Sequence, residues 1–169
     1  MDSLNSFVRL FTLDDAAAAQ RVGERLALVL RDPATYQAQY AEELAERGIV
    51  GALPAQELRE VALIDALLSE ELLWEADWQD AITDLAYGLN ETLARQNRAE
   101  RLDEQAFAGR ASTGPEALDM LQEALEPLGL ALVLLTLDSD SHALSVVAES
   151  QVAEMRSLAQ QLGFGLTVY

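Results

Sequence analysis

Ala131-Leu-Val-Leu-Leu-Thr-Leu137 is a continuous apolar run between Gly129 and the polar segment Asp138-Ser-Asp-Ser141. Its length is that of a strand, and its lack of alternation is that of a strand covered on both faces. Asp138-Ser-Asp-Ser141 supplies turn chemistry, and beyond it Leu144, Val146 and Ala148 alternate with smaller residues in a second strand. Upstream, Thr113-Gly-Pro-Glu116 is a capping-box pattern opening a helix with Leu118, Leu121, Leu125 and Leu128 on one face. Downstream, Val152, Met155, Leu158 and Leu162 define a helix over residues 150 to 162 that Gly163 ends. Phe164, Leu166 and Val168 then alternate in a closing strand.

Residues 113–169 therefore read as an α-β-β-α-β unit with a small three-stranded sheet, whose crossover from second to third strand is expected to be right-handed. In a split β-α-β arrangement the first strand is central, and its two apolar faces need two covers. Local helices supply one; the apolar material before residue 113 is the other source. The expectation is a single α+β domain over residues 1–169, with a mostly helical region (1–112) packed on the C-terminal unit. A dimer pairing two sheets face to face is the alternative.

The N-terminal region carries helical stripes. Leu4, Phe7, Val8 and Phe11 share one face, and Asp14 stands ready to cap a second helix through Val22, Leu26, Val29 and Leu30. Asp32-Pro33 opens a third, with Tyr36, Tyr40 and Leu44 recurring until Gly48. Pro54 opens a fourth, through Leu58, Val61, Ala62, Ile64 and Leu68, apolar almost all round and so expected at the core. Asp77-Trp-Gln-Asp80 resembles an N-cap with an acidic first turn for a fifth, through Ile82, Leu85, Ala86 and Leu89. Residues 90 to 112 are polar, with Glu91 and Arg95 spaced for an i,i+4 pair and Arg95, Arg98 and Arg101 spaced like a solvated face.

Charge narrows the partners. The 169 residues hold 29 acidic and 11 basic side chains, a formal charge of −18, and every basic residue is Arg. Such a surface repels nucleic acid and anionic lipid headgroups. The absence of Cys excludes disulfide scaffolds, thiolate zinc sites and cysteine nucleophiles. The start, Met1-Asp-Ser3, lacks a basic n-region, and no run reaches the length of a membrane span, so a cytoplasmic protein is the expectation.

Ala62-Leu-Ile-Asp-Ala-Leu67, Glu75-Ala-Asp-Trp78, Leu137-Asp-Ser-Asp-Ser141 and the helix ending Leu158-Ala-Gln-Gln-Leu-Gly-Phe164 together resemble a family of uncharacterised bacterial proteins, a domain-of-unknown-function group. The likeness covers the chain from about residue 20 onward. His142 stands where that pattern leads one to expect an aromatic residue such as Tyr. The resemblance implies a bacterial origin and a shared fold, without a mechanism.

Three candidate sites emerge. Asp138, Asp140, His142 and Glu149 fall at positions 1, 3, 5 and 12 of a calcium-type loop, but Ala143 replaces the required Gly and a strand pattern crosses the middle of the loop, so no metal site is assigned. Asp65 lies in an apolar helical stripe and needs an Arg, an indole N–H or backbone donors to be buried. Trp74 and Trp78 stand among Glu70, Glu71, Glu75, Asp77, Asp80 and Asp84, which is either an anionic patch with aromatic anchors for a basic partner or a solvated face with indoles packed inward.

No GxGxxG, GxxxxGK[ST], HExxH or GxSxG pattern occurs, and no cofactor is indicated. The leading reading is a non-enzymatic acidic protein-interaction module, of inhibitor or immunity type, that binds a basic partner as monomer or homodimer through Trp74, Glu75, Asp77 and Trp78. The alternative is a carboxylate-dependent enzyme or metal-binding protein using Asp138, Asp140 and His142.

Overall fold

The computed structural model describes residues 2–135 and 141–169. Helices α1 (Asp2–Thr12), α2 (Ala16–Arg31), α3 (Pro33–Gln39), α4 (Ala41–Glu46) and α5 (Ala55–Ser69) precede strand β1 (Trp74–Asp77) and helix α6 (Ile82–Arg95). Helix α7 (Gly114–Leu125), strands β2 (Leu130–Leu135) and β3 (Ser141–Ala148), helix α8 (Val152–Leu162) and strand β4 (Leu166–Val168) follow. The fold is α+β.

The strands form one sheet in the order β1-β3-β2-β4, every neighbouring pair antiparallel. The expected three-stranded sheet thus becomes four-stranded. Trp74–Asp77 pairs with β3 in the register Trp74↔Leu144 to Asp77↔Ser141, and the segment read as an N-cap is an edge strand followed by a turn. In that turn Asp77 Oδ1 accepts the Gln79 amide at 2.8 Å and Asp80 Oδ2 accepts the Asp77 amide at 3.0 Å. Helix α6 starts four residues later than expected, at Ile82, with Ala81 as its uncapped N-cap. Acidic residues that fit a helix's first turn here satisfy a tight turn instead.

Strand β2 lies between β3 and β4, and α8 carries the chain across it. Strand periodicity divides the core in two. Ala131, Val133 and Leu135, with Ala143 and Val147, pack with α1, α2, α5 and α8. Leu130 and Leu132, with Leu144 and Val146, pack with α6 and α7. The covers differ from the expected partition: α8 joins the N-terminal helices on one face, and α6 crosses to join α7 on the other. Both faces are closed within the chain, so no face is left for a face-to-face dimer of sheets. Phe7 stacks on Phe164 at 5.4 Å, tying α1 to the C-terminal unit.

Two local corrections have clear causes. Asp15, not Asp14, caps α2, its Oδ1 accepting the Ala18 amide at 3.0 Å after Leu13 takes a left-handed φ of +54°. The expected third helix breaks at Tyr40, whose ring stacks on Tyr36 at 4.5 Å.

Candidate functional site

Helix α5 is buried at Leu58, Val61 to Ile64, Ala66 and Leu67, so the carboxylate of Asp65 is drawn inward with them until its side chain is only 11% exposed. Arg47, just past α4, meets it twice, through Nε at 2.7 Å and a terminal nitrogen at 2.6 Å from Oδ1. The same terminal nitrogen lies 2.9 Å from Glu75 of β1. Arg25 of α2 approaches Asp65 Oδ2 at 3.9 Å. Oδ2 itself is buried without a hydrogen bond.

Arg25 is 8% exposed and enclosed by polar and aromatic partners. Its Nε donates to the Tyr36 hydroxyl at 3.0 Å, a terminal nitrogen pairs with Glu43, and the guanidinium carbon lies 4.1 Å from the Tyr40 ring centroid. Burial pushes the Asp65 carboxyl up, against the pull of Arg47 and Arg25. Burial also works against the charges on Arg25 and Arg47, but the hydrogen bonds and negative charges around them together outweigh it and hold both above the ordinary arginine value. Burial raises the Tyr36 hydroxyl to about 12. An open groove of roughly 360 Å³ lined by Glu43, Glu46, Ser69 and Glu75 runs past this network. The Ser69 hydroxyl donates to the Ala66 carbonyl at 2.7 Å. Chemically the arrangement is an internal anchor joining α2, α4, α5 and β1.

A second groove, of roughly 400 Å³, shares Leu68 and Glu75 with the first and is lined by Leu73, Trp74 and Tyr87 together with Glu71 and Glu91. Trp74 is half-buried because its indole lies on Gly88 of α6, where a β-carbon would come within 2.2 Å of ring Cγ. Tyr87, 49% exposed, meets the indole edge-on at 5.8 Å and 81°. On α6, Asp84, Tyr87 and Glu91 fall at i, i+3 and i+7, one exposed stripe opposite the buried Ile82, Leu85, Ala86 and Leu89. Glu71 takes a left-handed φ of +60° at the end of α5. No arginine lines this groove.

The other candidates are dispersed. Trp78 is 44% exposed in the turn that Asp77 holds. His142 pairs across the strands with Ala76; its Nε2 is buried without a partner, and burial moves the imidazole below its ordinary value despite the counter-pull of Asp77. Asp138 and Asp140 lie outside the described residues. Ser141–Ala148 runs as one strand, which separates His142 from Glu149 by about 20 Å, so these two cannot share an ion. Among the described residues no group of three or more His, Asp or Glu side chains is arranged to hold a metal.

The arginines expected on a solvated face are largely engaged. Arg95 leaves Glu91 and reaches Asp15 at 2.9 Å and Glu70 at 3.5 Å, while Arg98 Nε donates to Gln96 at 2.7 Å. Sequence reasoning missed Arg25, Arg47 and Tyr87. A guanidinium beside the Val22-Leu26-Val29 stripe was the available signal for Arg25, and the polar 84-87-91 spacing was the signal for Tyr87.

No helix among the described residues is long and apolar enough to cross a membrane. A family model for a domain of unknown function, DUF6630, matches residues 3–169. No curated protein and no solved structure matches the chain.

Proposed function

The chain belongs to the DUF6630 family, and we propose that it works as a non-enzymatic acidic interaction module that docks a basic protein partner. The observation that carries this reading is the face where the exposed α6 stripe, Asp84, Tyr87 and Glu91, stands beside the Trp74 groove. Aromatic anchors ringed by carboxylates are what a positive partner surface requires, because the rings supply contact area at low entropic cost and the charges steer the encounter. The ion pairs support the same reading. Arg21, Arg25, Arg47 and Arg95 are paired with Glu70, Glu43, Asp65, Glu75 and Asp15, so much of the limited positive charge is consumed within the fold. With a net charge of −18, association is expected to be fast and salt-sensitive.

The test is capture on the immobilised full chain from a lysate of the source organism, at low and moderate salt. A parallel column carries the Asp84→Asn, Glu91→Gln double variant after its melting temperature has been matched to the parent. A basic protein that is retained by the parent, released by salt and lost from the variant supports the module. Retention of nothing, or equal retention by both columns, overturns it.

A further inference from the structure

We propose that the Trp74–Tyr87 groove is a recognition site for a single guanidinium group, the side chain of an arginine presented by the basic partner; this rests on the docking reading above. The chain already contains a filled version of such a site. Around Arg25 it places two tyrosine rings, with centroids 4.1 and 5.7 Å from the guanidinium carbon, a hydroxyl acceptor at 3.0 Å and the carboxylates of Glu43 and Asp65. The second groove presents an indole and a phenol meeting at 5.8 Å, with Glu71 and Glu91 at the margins and no arginine in its lining; Glu75, also at the margin, is already paired with Arg47.

Its position is built rather than incidental. The absence of a side chain at Gly88 lets the indole lie on α6, and the same clearance fixes one wall of the groove. Glu75 is paired with the Arg47 guanidinium at 2.9 Å on the side of the neighbouring groove, which leaves Glu71 and Glu91 as the carboxylates offered to an incoming group. A guanidinium is favoured over an ammonium because it is planar, stacks on aromatic faces, offers several donors to neighbouring carboxylates and loses less hydration on entry. The groove volume of roughly 400 Å³ suits one side chain with its flanking backbone.

The experiment titrates the full-length Trp78→Phe variant, in which Trp74 is the sole indole, with hexa-arginine, hexalysine and hexacitrulline peptides, following emission and heat at fixed ionic strength. Hexa-arginine is expected to bind about tenfold more tightly than hexalysine and to perturb Trp74 emission, while the uncharged, near-isosteric hexacitrulline gives no signal. Glu91→Gln and, separately, Tyr87→Leu are expected to erase the arginine preference while leaving residual salt-dependent binding. Equal affinity for arginine and lysine peptides, or binding without a change in Trp74 emission, overturns the guanidinium site and leaves the docking module standing on the capture experiment. Absence of binding by either cationic peptide also overturns the site, and capture from lysate then decides the module separately.

Discussion

The indole of Trp74 occupies the space that a side chain at position 88 would need: a β-carbon there would sit 2.2 Å from both Cγ and Cδ2 of the ring. These atoms are held close to the β1 backbone, so the ring cannot swing clear as the tip of a long side chain would. In an open helix Gly→Ala gains up to about 1 kcal/mol, whereas overpacking costs about 1–3 kcal/mol. Gly88→Ala is therefore expected to lose about 0.5–2 kcal/mol and to shift Trp74 emission to the red, as read by urea titration in the Trp78→Phe background. A variant more stable than its parent, with unchanged emission, would show that the contact does not constrain the ring.

Asp65→Ala is expected to be costlier. It removes the acceptor of two Arg47 contacts, at 2.7 and 2.6 Å, and a carboxylate that approaches Arg25 at 3.9 Å. Two partly buried guanidinium groups are then left short of charge, which costs about 1–3 kcal/mol and more if Arg47 cannot turn to solvent. Urea unfolding with an unchanged m-value measures it. A loss within about 0.5 kcal/mol would mean that Glu43 and Glu75 suffice without Asp65.

These two sites also show how far the fold is legible in the sequence. Helical stripes such as Leu4-Phe7-Val8-Phe11 and the apolar run at 131 are local signals, because side chains three to four apart, or in continuous succession, state their own burial. One carboxylate among Val61, Ala62, Ile64 and Leu68 is equally local. Its partners are not: Arg47 and Arg25 reach Asp65 through the folding of three helices, and neither spacing nor composition encodes that meeting. Strand β1 was illegible for a related reason. It has four residues, two of them acidic, and its pairing with Leu144 to Ser141 spans some seventy positions. The sequence offers a cap pattern at Asp77 to Asp80 and no strand signal before it, so nothing in it places Trp74 on Gly88, and the groove is invisible there although its acidic tryptophan segment is conspicuous.

His142, the one histidine in the chain, gives a pH dependence that can be assigned without ambiguity. Its ordinary value is 6.5, and burial lowers it in the folded protein. Around that pH the unfolded chain binds the proton more readily, so acidification favours unfolding. The contribution is fully present above about 6.5 and is lost as pH falls through the window below it. Asp65, whose carboxyl is raised from 3.8, acts with the opposite sign, its contribution shrinking as pH rises. The difference between parent and His142→Gln cancels that carboxylate term. The parent is expected to lose more of its urea midpoint than the variant between pH 7.5 and 5.5; parallel losses would show that the imidazole is not held in its neutral form.

Arg25 and Arg21 separate what a guanidinium does from what a positive charge does. Both pair with a glutamate, Arg25 with Glu43 and Arg21 with Glu70, the latter through a fork at 2.8 and 2.7 Å. Arg21 is 57% exposed, where a salt bridge is worth about 0–1 kcal/mol and lysine can replace most of it. Arg25 is buried against Tyr40 while its Nε serves the Tyr36 hydroxyl. A lysine there keeps the charge, but its one nitrogen cannot reproduce the planar stack while also serving both Tyr36 and Glu43. Arg25→Lys is accordingly expected to cost about 1–3 kcal/mol, against less than about 1 kcal/mol for Arg21→Lys. Urea titrations of the two variants, run beside the parent at one ionic strength, give the comparison. Equal small losses would reduce the Arg25 cage to simple charge pairing, and with it would go the precedent for guanidinium recognition at Trp74 and Tyr87.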